Sequence, residues 1–370
     1  MKSENWKKVR LGDILLIQKK SKIKASDGIE NGIYPFFTCS NDIVRTYNSA
    51  QYKGPALIFG TGGKASVHFC DTEFSTSTDC LTYYPVSSEI NLDLVNQYIQ
   101  SNIYLLENGF KGAGLKHVSR DYIANIEINL PDIKTQDYIV QKLNKAKNII
   151  SNSKKLLTKY DLLIKSRFIE MFGDNPVENG KWKVESLEDV CKIITDGTHQ
   201  PPKFTTSGIP FLFVSNIAGN KITYETEKYI SEQTYAELYK RTPIEIGDLL
   251  LSTVGSYGHP AIVENDKKFL FQRHIAYLKP KTDLLDSVYF HGTLLSPDAQ
   301  KQIEERVRGI AQKTLNLSEI RKIKIPVPPL ALQQQFAAFV QQIDKSKFTV
   351  QKSLKKAETL YKSLMQQYFA

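Results

Sequence analysis

The chain carries one long pattern twice, and that repeat limits what it can fold into. Trp6 and Leu11-Gly12-Asp13-Ile14 return as Trp182 and Leu187-Glu188-Asp189-Val190, 176 residues later. Gly32-Ile33 returns as Gly208-Ile209 at the same offset, and Pro35-Phe36 and Ser40-Asn41 return as Pro210-Phe211 and Ser215-Asn216 at 175. Gly54 and Leu57 match Gly247 and Leu250 at 193, and Pro85 matches Pro280 at 195. From 118–172 onto 315–369 the match runs ungapped at 197, with identities that include Ile123, Ile126, Ile128, Pro131, Gln136, Leu157, Ser166 and Phe172. Chance identities do not keep a colinear order, so the chain is a tandem duplication. The offset grows from 176 to 197, so the second copy is 21 residues longer, mostly between Asn216 and Gly247. A duplication alone is compatible with any function.

Each copy has two parts. The first mixes short apolar runs with Gly, Asn and Pro punctuation. Ala56–Phe59, Ile126–Leu130, Leu249–Leu251 and Ile323–Val327 read as strands, with helices near Leu92–Glu107 and Pro297–Arg308. The second part reads as one long helix. Ile139, Ala146, Ser153, Tyr160 and Arg167 alternate with Leu143, Ile150, Leu157, Ile164 and Met171 in a heptad seam. Adding 197 gives Phe336, Ile343, Val350, Ala357 and Leu364, alternating with Val340, Lys347, Leu354, Tyr361 and Tyr368. Ser153, Arg167 and Lys347 interrupt the seam. Pro131 and Pro328 precede the helices, and Gly173-Asp174-Asn175-Pro176 ends the first.

The expected fold class is therefore α/β: two tandem domains with mixed sheets, each followed by a long helix, the helices pairing as an antiparallel coiled coil. The expected segments are 1–132, 133–180, 181–330 and 331–370. A helix of this length spans roughly 55 Å at about 1.5 Å per residue. That would suit a rigid spacer with one domain at each end. The alternative is that each helix packs only on its own domain.

Charge is unevenly placed. Of the net +10, residues 133–180 and 331–370 carry +4 each, 181–330 carry +2, and 1–132 are neutral. Nucleic-acid contact by the larger blocks would then be local and selective, not a broad basic coat. Four scattered cysteines without zinc-ligand spacing point to a reduced, cytoplasmic setting. No apolar run is long enough for a transmembrane helix, and the N-terminus has no signal-peptide core, so no membrane is expected.

Five segments resemble the DNA specificity (S) subunits of Type I restriction-modification systems. They are the junction Phe168–Pro176 leading to Trp182, and the strand-to-helix transitions Ile128-Asn129-Leu130-Pro131 and Ile325-Pro326-Val327-Pro328. The other two are Asp196-Gly197-Thr198-His199-Gln200-Pro201-Pro202-Lys203 and Gly247–Gly255. The resemblance spans nearly the whole chain. It implies that 1–132 and 181–330 are target recognition domains, each reading half of a bipartite, asymmetric DNA site. Segments 133–180 and 331–370 would form the coiled coil that sets the gap. It also implies double-stranded DNA, modification (methyltransferase) subunits and restriction (motor/nuclease) subunits as partners. No cofactor is expected on this chain; S-adenosylmethionine, Mg2+ and ATP belong to the partners. The first domain lacks the Asp-Gly-Thr-His run, as expected if the two read different sequences.

Base reading needs donors and acceptors on loops, and phosphate binding needs cations. In the first domain the candidates are Thr61 and Lys64 on a Gly-rich loop, with Lys116, His117 and Arg120. The loop could instead be a plain hairpin turn, and the basic run Lys19–Lys24 a solvated loop. In the second they are Thr198, His199, Gln200 and Lys203, then Ser256, Tyr257 and His259, then Arg273 and Lys313. His199 could merely cap a turn, and Arg273 could be buried in a strand.

Catalysis is not expected. Neither Asn175-Pro176-Val177 nor Pro328-Pro329-Leu330 forms the Asn/Asp-Pro-Pro-aromatic motif of adenine methyltransferases, and a Gly-rich Rossmann loop is missing. Pro131-Asp132-Ile133-Lys134 hints at a nuclease, but its repeat, Pro328-Pro329-Leu330-Ala331, lacks the charges. Two further readings remain: a coiled-coil scaffold without DNA, and an S-type subunit of a methylation-only or other restriction system.

Overall fold

A computed structural model describes residues 6–42, 45–174, 180–309 and 312–369. The chain divides into two compact units, Met1–Lys154 with Lys352–Ala370, and Lys155–Gln351. Both are mixed α/β, and the two helices of 40 residues, Ile133–Phe172 and Leu330–Phe369, each contribute one half to either unit. The 197-residue offset holds at both helix ends, Ile133 with Leu330 and Phe172 with Phe369. Asn175 and Pro176 of the junction motif lie outside the described residues.

In the first unit, Lys7–Arg10 pairs antiparallel with Glu127–Leu130. An antiparallel sheet runs in the order Leu15–Ile17, Cys80–Pro85, Ala56–Gly60, Ser66–Cys70. A second sheet, Arg45–Tyr47, Tyr34–Phe37, Glu73–Thr76, Tyr52–Lys53, contains one parallel pair, Phe36 beside Ser75. Ala56–Gly60 is buried throughout because its two faces feed different cores. Leu57 and Phe59 face one, Ala56 and Ile58 the other, the period of two expected of a central strand.

The second unit repeats this plan. Lys183–Ser186 pairs with Lys324–Val327. Cys191–Asp196, Ile275–Pro280, Leu249–Ser252 and Pro260–Ile262 form the antiparallel sheet. Ile209–Leu212 again has a parallel neighbour, Phe211 beside Leu270. Leu249 and Leu251 enter one core and Leu250 another. The helix Glu232–Tyr239 has no counterpart in the first unit and lies in the longer stretch between Asn216 and Gly247.

The repeated glutamine explains how each long helix is seated. Gln136, 1% exposed, donates to Glu89 O at 3.0 Å and Pro131 O at 2.8 Å, and accepts from Asn91 N at 2.8 Å. Gln333, fully buried, donates to Leu284 O at 2.9 Å and Pro328 O at 2.8 Å, and accepts from Asp286 N at 2.9 Å. Asn91 and Asp286 in turn cap the helices Leu92–Ser101 and Ser287–Leu294. Gln333→Leu leaves a buried N–H and two carbonyls unpartnered, so it is expected to cost about 1–3 kcal/mol. A urea melt unchanged from wild type would contradict this.

The heptad seam is observed. Every seam position on both helices is buried or half-buried. In the first unit, Lys147 sits over the Tyr361 ring at 5.7 Å and Lys154 meets Glu358 at 3.6 Å. In the second, Asp161 meets Lys347 at 2.6 Å and Phe168 packs on Phe336 at 5.4 Å. In each case one helix ascends as the other descends, an antiparallel pair. The interruption at Lys347 is thereby explained: its side chain is only 14% exposed and is neutralised across the pair.

Candidate nucleic-acid interface

The loop Thr61–Lys64 follows the buried strand Ala56–Gly60 and is fastened to a second loop carrying Lys116 and His117. Gly63 N donates to Lys116 O at 3.1 Å, Val118 N donates to Thr61 O at 3.1 Å, and Gly62 bridges His117. Gly63 has φ +78° and open space where a Cβ would be, so the backbone itself is presented to solvent. The His117 ring donates from Nδ1 to Thr61 O at 3.2 Å. In the neutral ring this leaves Nε2 as an acceptor. Lys64, Lys116, His117 and Arg120 are exposed. Arg120 opens a short helix capped by Ser119. Thr61 is committed to the fold, giving its hydroxyl to Asp79 O at 2.9 Å. The Lys19–Lys24 run reaches the same turn, since Thr78 N donates to Ile23 O at 2.8 Å.

The second unit builds the same pair of loops. Gly255 N donates to Lys313 O at 3.1 Å, Val254 bridges Thr314, and Gly255 has φ +72° over open space. The flanking cations also correspond: Lys111 bridges His117, and Arg308 bridges Thr314. Both sit at the repeat offset, so this pair was readable but not singled out. The side chains differ. Lys313 Nζ meets Glu304 at 2.9 Å and the Tyr257 hydroxyl at 3.3 Å, and Tyr257 donates to Glu304. The Tyr257 hydroxyl, then the Lys313 ammonium, hold the Glu304 carboxyl below its usual range. Ser256 is exposed beside this trio.

A third cluster is specific to the second unit. Thr198 N donates to Phe271 O at 2.9 Å and Arg273 N to Thr198 O at 3.0 Å, so Thr198, Gln272 and Arg273 lie side by side. Gly197 permits this: a Cβ there would fall 2.2 Å from Phe271 O. Asp196, at 14% side-chain exposure, accepts from His199 Nε2 at 2.9 Å and pairs with Arg241. His199 is thus oriented by a carboxylate, with Nδ1 left as an acceptor in the neutral ring. Arg241 was not among the residues singled out, because it follows the helix that the first copy lacks. Arg273 is exposed on a turn rather than buried in the strand. His259 is half-buried, with Nδ1 at 3.0 Å from Asn220 Oδ1. Gln200 and Lys203 are exposed, and neither makes a side-chain hydrogen bond or ion pair with the described residues.

Among the described residues, no group of three His, Cys, Asp or Glu is arranged for a metal, and no helix is long and apolar enough to cross a membrane. Asp132 accepts from Thr135 N at 3.1 Å at the start of the long helix, the role of a helix-terminal carboxylate.

A family model described as the Type I restriction modification DNA specificity domain matches residues 3–159 and 179–359. The MjaVIII specificity subunit of Methanocaldococcus jannaschii is 23% identical over an alignment of 407 positions, covering 96% of this chain and 92% of that one. The EcoBI specificity subunit of Escherichia coli is also 23% identical, covering 69% and 59%. The crystal structure of a Type I S subunit from M. genitalium superposes with TM-score 0.71 at 14% identity, over 99% of this chain and 96% of that one.

Proposed function

The chain belongs to the Type I restriction-modification DNA specificity family, the non-catalytic specificity subunits, and from this we propose how it divides its task. Each unit reads one half of a bipartite, asymmetric duplex site with its paired loops. Modification subunits supply S-adenosylmethionine and methylate adenine, restriction subunits supply ATP- and Mg2+-dependent cleavage, and the complex works in the cytoplasm.

The observation that carries this reading is the repeated loop pair. Gly63–Lys116 and Gly255–Lys313 share one backbone geometry, while the side chains around them differ: the second unit has Thr314 where the first has His117, and the Thr198-His199-Arg273 cluster occurs once among the described residues. A common scaffold with different donors and acceptors is what reading two unlike half-sites requires. Lys64, Lys116, Arg120, Lys203 and Lys313 are proposed at phosphates. His117, Thr198, His199, Gln200, Ser256, Tyr257 and Arg273 are proposed at base edges, with Thr61 and His259 supporting their loops.

The double variant Thr198→Ala/Arg273→Ala tests this in a complex reconstituted with the modification subunits. It should weaken cognate binding by about 10- to 100-fold and relax discrimination in one half-site only. An equal loss on unrelated DNA would instead mark these residues as phosphate contacts. Glu304→Gln should release Lys313 and tighten non-specific binding by about 3- to 10-fold at low salt, with a steeper salt dependence. Unchanged affinity would remove Lys313 from the interface.

A further inference from the structure

Cys39 and Cys80 meet directly under the Thr61–Lys64 loop. Cys80 pairs with Gly60 on the neighbouring strand, and a Cβ at Gly60 would lie 3.0 Å from Cys39 Cα. The contacts interlock. Cys39 Sγ reaches Asp79 O, next to Cys80, at 3.1 Å, and Cys80 Sγ reaches Phe37 O, near Cys39, at 3.6 Å. Cys39 is half-exposed, whereas Cys80 is buried. Cys80 also hydrogen-bonds the Cys39 thiol; with help from the Gly62 and Thr61 backbone this brings Cys39 down to about 6, against the opposing effects of burial and Asp79. When protonated, Cys39 donates to the Asp79 carbonyl; when ionised, it accepts from Cys80. The corresponding positions of the second unit are Val214 and Ile275, so the pair is confined to the first.

We propose that Cys39 is a peroxide-reactive thiol and Cys80 its resolving partner, giving the first unit a reversible internal disulfide beneath its recognition loop. The Cys39 thiolate attacks one oxygen of hydrogen peroxide, the O–O bond breaks, and hydroxide leaves as a sulfenic acid forms. Cys80 sulfur then attacks Cys39 sulfur. The S–O bond breaks, the S–S bond forms, and the Cys80 proton departs with the hydroxide as water. Two thiols lose two electrons, and peroxide is reduced to two waters. This inference concerns the thiols alone and does not depend on the DNA-reading assignment.

The test uses the full chain, reduced, freed of reductant, treated with hydrogen peroxide, alkylated and mapped by peptide mass. A peptide joining Cys39 to Cys80, lost again on adding dithiothreitol, is expected. Cys39 should react about 10-fold or more faster than buried Cys191. Cys80→Ser should stop at the sulfenic acid, which dimedone traps. If that variant melts early, the wild-type map decides alone. Recovery of alkylated Cys39 after peroxide, or a bond from Cys39 to Cys70, would overturn the proposal.

Discussion

Phe172→Ala is expected to destabilise the unit Lys155–Gln351 by about 3–5 kcal/mol, the largest effect of any single truncation on the two long helices. Phe172 is 1% exposed at the end of its helix. Its ring centroid lies 5.0 Å from Phe168, 4.7 Å from Tyr289 and 5.7 Å from Phe336. Removing it leaves a cavity among three large rings that cannot collapse easily. Its repeat, Phe369, has one ring partner among the described residues, Tyr98 at 5.5 Å, and its carbonyl accepts from Asn102 at 3.2 Å. Phe369→Ala should therefore cost less. Urea melts of both variants check the order; equal losses would contradict the cavity argument.

Reversing Lys64, Lys116 and Arg120 to Glu together should weaken DNA binding by about 100-fold or more near 0.1 M salt, and flatten the salt dependence by about 0.9 for each lost phosphate contact. All three are exposed around the loop pair of the first unit, so the fold should survive. Thermal melting within a few degrees of wild type would accompany the loss. Wild-type affinity with wild-type salt dependence would place the DNA elsewhere on the chain.

Much of this arrangement was readable from the sequence because it is periodic or repeated. The heptad seam located both long helices, and Gln136 and Gln333 stood out as an identity, though their role as clamps shows only in the hydrogen bonds. The repeat also aligned Lys116 with Lys313, which the structure places on equivalent loops. What escaped lacks such a signal. The parallel pairs of Phe36 with Ser75 and Phe211 with Leu270 join strands too short to show a period. The compact units divide each long helix near its middle, because seam residues of one helix are buried by the distant segment of the other. Arg241 reaches Asp196 from an unrepeated insertion, and the Tyr257–Glu304–Lys313 trio depends on side-chain geometry that spacing does not encode.

The most direct test is a map of methylated adenines in DNA from cells that co-express the chain with its modification subunit. One bipartite motif, two short half-sites around a fixed gap, is expected, and exchanging residues 1–132 for another recognition domain should change one half alone. An undivided motif, or one altered in both halves by that exchange, would contradict this.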